Sequence, residues 1–109
     1  MTFDLDAFQS EWGQWVAKAL PEATTEGHMR KLAGEVVELQ TAYGASVPFA
    51  DELADCLLLC LSIAHRHGIS AADAMRKKFE VNKVRKWGPC VDGLYQHESQ
   101  GRKVADEKA

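Results

Sequence analysis

The sequence has no apolar run able to cross a bilayer; the longest, residues 57–63, falls far short of the roughly 20 residues a spanning helix needs. Its three cysteines, Cys56, Cys60 and Cys90, form no CxxC pair and no even framework. An odd count argues for reduced thiols in a cytoplasm, and Cys56 and Cys60, four apart in the apolar run, read as small hydrophobes. The opening Met-Thr-Phe-Asp-Leu-Asp lacks the basic and apolar regions of a signal peptide, so the chain is expected to stay where it is made. No period-two alternation marks a strand, and no internal repeat marks a solenoid. Neither sign of charge dominates: a net charge of -3 and a pI near 5.8 give no global reason to expect nucleic acid or a membrane as partner.

What is present is helical periodicity. Leu5, Phe8, Trp12, Trp15, Val16 and Ala19 recur at threes and fours until Pro21. Thr24 or Thr25 can cap a second helix, which carries Met29, Leu32, Val36, Leu39 and Ala42 until Gly44. Pro48 suits the opening turn of a third, apolar nearly all round and so expected to be buried, running over residues 49–67 to a Gly68 cap. Ser70, three before Asp73, opens a fourth that reaches about Trp87, where Gly88-Pro89 ends it. The expectation is an all-α four-helix bundle over residues 1–89, with a partly ordered tail over 90–109. At 109 residues, completion of the core by oligomerisation is expected.

Two acidic pairs, Glu35/Glu38 and Glu52/Asp55, stand on either side of the second connection. Residues three apart share a helix face. Glu35 projects between Ala42 and Leu39, and Glu52 between Leu59 and Ile63, so both pairs are expected to face inward. One such pair is commonly a solvated face; two on adjacent inward faces ask for cations, because an ionised carboxylate is costly to bury unless paired or coordinating. Magnesium, shared between a few carboxylates and substrate phosphates, fits that demand. Lys78, Asn82 and Arg85, at i, i+4 and i+7 of the fourth helix, form a stripe in a basic neighbourhood suited to phosphate.

Glu35-x-x-Glu38, Glu52-x-x-Asp55 and Lys78-x-x-x-Asn82-x-x-Arg85-x-Trp87 together closely resemble the MazG-like all-α nucleoside triphosphate pyrophosphohydrolases, and the Lys-Trp-Gly-Pro-Cys-Val-Asp-Gly tail is similar to that of compact phage-encoded dATP/dGTP diphosphohydrolases. The family usually has a further glutamate directly before the first pair, where this chain has Gly34. The resemblance implies that Glu35, Glu38, Glu52 and Asp55 hold two or three Mg2+ ions, for which Mn2+ can substitute. It implies that Lys78, Asn82 and Arg85 contact the triphosphate of a (d)NTP, with Glu38, ahead of Glu35, as proton acceptor. The products would be a nucleoside monophosphate and pyrophosphate. Trp15, His28 and Trp12 are the base-binding candidates it suggests, and a homodimer or homotetramer in a cellular or host cytoplasm is the expected form. Two competing expectations are the related phosphoribosyl-ATP pyrophosphatase and a non-enzymatic helical dimerisation or adaptor module.

Overall fold

Alternating capped, apolar-faced segments resolve into four helices, α1 (Leu5–Ala19), α2 (Thr25–Gly44), α3 (Ala50–Arg66) and α4 (Ala71–Val84), in a computed structural model that describes residues 2–98. There is no strand among the described residues, only two isolated β-bridges after α4. The expected tail begins within that region, and its residues 99–109 lie outside the described residues. The chain divides into two units, Met1–Ala74 and Met75–Ala109.

In the first unit, local chemistry sets the helix ends. The Asp4 carboxylate accepts from Ala7 N at 3.1 Å to cap α1, and the Thr24 hydroxyl accepts from Gly27 N at 3.0 Å to cap α2. Of the two threonines eligible as that cap, Thr24 takes it. The hydroxyl of Thr25 instead meets His67 Nε2 at 2.9 Å and accepts from Arg66 Nε at 3.2 Å. Gly68, with φ 65°, ends α3 in a left-handed cap: Ile69 N donates to Ala64 O at 2.9 Å and Gly68 N to His65 O at 3.2 Å. Those two hydrogen bonds satisfy two carbonyls the helix end would otherwise orphan.

α3 is the central element, packed against both α1 and α2. At its crossing with α1, Gly13 is buried, and a Cβ there would run into the His65 ring, so the close approach requires glycine. The buried Gln9 then ties α1 to the α3–α4 connection, donating to Ile69 O at 2.7 Å and accepting from Ala71 N at 3.0 Å. These bonds satisfy an α4 N-terminal donor and a turn carbonyl away from water.

The structure departs from the sequence expectation in two places. α3 is not buried all round: Leu53 and Leu57 are exposed in the single chain, as is Cys60. α4 ends at Val84, not Trp87, so Arg85 lies just past the helix. Gly34, inside α2, meets nothing within 4 Å of an added Cβ. Glycine in a helix interior costs backbone entropy with no packing return here, so Gly34→Ala is expected to stabilise the fold by about 0.5–1 kcal/mol in a denaturant titration.

Candidate active site

The two acidic pairs come from α2 and α3, whose packing brings their facing surfaces together. Glu35 is 4% exposed and Glu52 half-buried, whereas Glu38 and Asp55 are exposed. The inward placement expected for all four holds for the first member of each pair only. A three-residue step turns about 300° around the helix, so the second member of each pair reaches the rim where the first lies beneath it.

Lys31, one turn before Glu35, places Nζ 2.9 Å from Glu35 Oε2. Its ammonium is held above the ordinary lysine range, first by the hydrogen bond to Glu35 and by that carboxylate's charge, with lesser contributions from Glu38 and Asp55. Cys56 is pushed upward by burial first, and then by Glu35, Cys60, Asp55 and Glu38. Glu35, Glu38 and Asp55 thus lie near enough to act together on both Lys31 and Cys56. A thiol raised in this way is mostly protonated at neutral pH, which disfavours it as a nucleophile.

Among the described residues, no three His, Cys, Asp or Glu side chains converge closely enough to cage an ion as they stand. The satisfaction of the buried oxygens points the other way. Glu35 Oε1 and Glu52 Oε1 are both buried without a hydrogen-bond partner among the described residues. A carboxylate oxygen in that state carries its desolvation cost uncompensated, about 1–3 kcal/mol or more for a charged group. An all-oxygen donor set of this kind suits a hard divalent cation, with the exposed Lys31 head free to withdraw into water. The residues present therefore fit Mg2+ or Mn2+.

Beside the carboxylates opens a cleft of about 490 Å³ lined by Trp12, Trp15, His28, Lys31, Glu35 and Asp55, among others. The three base-binding candidates thus share one cavity with one carboxylate from each acidic pair. Their roles in it differ. Trp12 donates from Nε1 to Leu58 O at 2.9 Å and to Ser62 Oγ at 2.8 Å, so its polar edge is already used. Its ring stacks on that of Trp15, centroids 5.3 Å apart at 23°. Trp15 is 54% exposed, which leaves its outer face open for a further ring. The anchor Ser62, 2% exposed inside an apolar run, was invisible as a functional position; an isolated hydroxyl in such a run is the signal that marks it.

His28 is buried, and its Nε2 has no partner among the described residues. Burial, and secondly the Arg66 charge, lower its pKa from the ordinary value of 6.5. The sign follows: below about pH 6.5 the unfolded chain takes up a proton that the folded chain resists, so this histidine's contribution to stability is present above that value and lost as pH falls through it. Thermal melts should show a flat Tm above about pH 7 and a decline towards pH 5, with part of the decline abolished in His28→Gln.

Lys78, Asn82 and Arg85 belong to the second unit. Lys78 and Asn82 share one face of α4, with Lys78 exposed and Asn82 half-buried, while Arg85 sits in the bend beyond.

Residues 8–105 match the family model described as dATP/dGTP pyrophosphohydrolase. The chain belongs to that family. A dATP/dGTP diphosphohydrolase of cyanophage S-2L is 32% identical over 89 residues, covering 82% of this chain and 83% of that protein. Another, from Salmonella phage PMBT28, is 37% identical over 87 residues, covering 80% of this chain but only 29% of the phage protein's length. Among solved structures, the cyanophage S-2L MazG-like pyrophosphohydrolase bound to dGDP and three catalytic Mn2+ ions per active site superposes with TM-score 0.75 at 28% identity, covering 90% of this chain and all of that one. The all-α MazG-like architecture of this family member is thereby established.

Proposed function

We propose that this chain hydrolyses deoxynucleoside triphosphates, dATP and dGTP foremost, to the monophosphate and pyrophosphate, using Mg2+ with Mn2+ as a substitute. The observation that carries the reading is the pair of buried carboxylate oxygens of Glu35 and Glu52, partnerless among the described residues, on helices that also line a tryptophan cleft. The names of the phage relatives, and the dGDP and Mn2+ held by the cyanophage structure, support the substrate class and the ion.

Glu35, Glu38, Glu52 and Asp55 are the ligand set in this reading. When bound, the divalent ions supply neutralising charge for the phosphates and a water of lowered pKa. Glu38, whose carboxylate is exposed and makes no ion pair among the described residues, takes the proton of the attacking water; Glu35 is the alternative acceptor. Lys78, Asn82 and Arg85 hold phosphate oxygens and orient the α-phosphorus, with pyrophosphate leaving. Trp15 offers a stacking face to the base, Trp12 backs it, and His28 presents its ring edge. The catalytic domain spans residues 1–89, followed by a C-terminal tail over 90–109. Gly34, where the family usually has a further glutamate, has room for an added Cβ.

The working form is a homodimer or homotetramer. Large apolar side chains on α2 and α3 stay exposed in the single chain, including Val37 at 59% and Leu57 at 58%, while the fully buried apolar set among the described residues is small. Exposure on that scale supports an interface between copies of the chain. Its place of action is the cytoplasm, that of the host if the chain is viral, as the phage relatives suggest. The deciding assay incubates the purified protein with each (d)NTP, and with phosphoribosyl-ATP, in Mg2+ and reads pyrophosphate against orthophosphate. Pyrophosphate release from dATP or dGTP is expected; no turnover, orthophosphate alone, or turnover of phosphoribosyl-ATP only would overturn the proposal.

A further inference from the structure

Beyond α4 the chain reverses direction. Asp92 and Gly93, at φ 54° and 77°, occupy the two central positions of a tight turn with both residues left-handed, the form that fits the twist of a hairpin. Val91 and Leu94 exchange backbone hydrogen bonds of 2.9 and 3.0 Å across it. Further along, Gly88 N donates to Gln96 O and Glu98 N to Lys86 O, both at 2.8 Å. Residues 86–98 therefore form a closed return in a region with little apolar material to hold it. A structure this short is marginal alone and needs an attachment.

The attachment is Trp87. Its ring meets His97 edge-on, centroids 6.0 Å apart at 79°, which joins it to the far arm of the return. Its Nε1 reaches back and donates to the backbone carbonyl of Asn82 at 2.9 Å. Asn82 is in the last turn of α4, where carbonyls have no intrahelical donor. No glycine cap follows directly; the next glycine is Gly88. The indole thus replaces a backbone cap, and the residue whose carbonyl it holds carries a half-buried amide with Oδ1 buried and partnerless among the described residues. Helix ends fray where carbonyls are unsatisfied, and a frayed last turn would release Asn82.

We propose that Trp87 is a positioning residue for the phosphate-binding end of α4: the hairpin of residues 86–98 holds the indole, and the indole locks the turn that carries Asn82. This rests on the assignment of Asn82 as a phosphate contact in the proposed function. Trp87 touches no substrate in this scheme and acts through the Asn82 backbone.

The test uses the full chain and steady-state kinetics with dATP and dGTP in Mg2+. Trp87→Phe keeps an aromatic ring for His97 and removes the pyrrole ring that carries the N–H. It is expected to lower kcat/KM about fivefold, the scale of one hydrogen bond, by the same factor for both nucleotides because the base is not involved. In an Asn82→Ala background the same substitution should cost nothing further. Gly93→Val, which strains the turn without touching Trp87, should reproduce the loss if the hairpin is the anchor. Wild-type kinetics in Trp87→Phe alongside an impaired Asn82→Ala would overturn the latch and leave the phosphate assignment standing, as would a full Trp87→Phe effect in the Asn82→Ala background. Unaltered kinetics in Asn82→Ala would instead remove the assignment beneath it, and the latch with it.

Discussion

Glu35→Gln is expected to reduce turnover of dATP and dGTP about a thousandfold or more while leaving the folded chain at least as stable. The two effects have different origins. Carboxylate-held ions contribute several kcal/mol of transition-state charge stabilisation, and at about 1.4 kcal/mol per decade a loss of that size exceeds three orders of magnitude. Glutamine keeps the volume and one acceptor oxygen but removes the anion. In the absence of ions the anion is a burden: Glu35 is 4% exposed, Oε1 has no partner, and the lysine on Oε2 is itself 64% exposed, so the pair recovers little of the desolvation cost. The melting point without Mg2+ should therefore hold or rise. The increase that Mg2+ plus nucleotide brings to the native chain should disappear. Retained turnover, or a native-sized Mg2+ shift, in Glu35→Gln would remove this carboxylate from the site.

The largest stability effect belongs to a residue with no chemistry. Gly13→Ala is expected to destabilise the fold by about 2 kcal/mol even though alanine is the better helix former, because overpacking at a closed crossing outweighs a propensity gain of about 1 kcal/mol. The atoms an added Cβ meets are His65 Cγ, Cδ2 and Nδ1. Cγ is the root of that ring, so the clash is not relieved by bending a flexible tip; α1 and α3 must separate or the histidine must leave its rotamer. For a chain of this size the loss corresponds to roughly 10 °C in Tm. His65→Ala in the same chain should recover much of it, whereas a clash-free crossing would show no such rescue. Activity should fall through KM, since α1 carries Trp12 and Trp15 and Trp12 hangs from Leu58 O and Ser62 Oγ of α3.

Both results turn on features of different legibility. The four helices could be read from periodicity and punctuation because Asp4, Thr24 and Gly68 act within a few residues of themselves: caps and left-handed turns are local chemistry. The carboxylate pairs were legible for the same reason, i,i+3 spacing being a property of one helix. Gly13 was not, since a glycine inside a helical pattern is marked only by what crosses it. Ser62 gave no sign of holding Trp12, a contact 50 residues away in sequence. The end of α4 was placed three residues late, because the Trp87 indole caps Asn82 from beyond the helix, although Asp92-Gly93 is a recognisable local signal for the hairpin that holds it.

The sequence by itself determined which residue types are available to the site, the pairing of the carboxylates and the helices that bear them, because these depend on spacing along one chain segment. Only the tertiary structure decided which member of each pair is buried, that Trp12 is fixed while Trp15 stays open, and that α3 keeps an apolar face exposed. Each of these depends on which surfaces α3 presents to α1 and α2, and distance in space is a quantity that the order of residues does not carry.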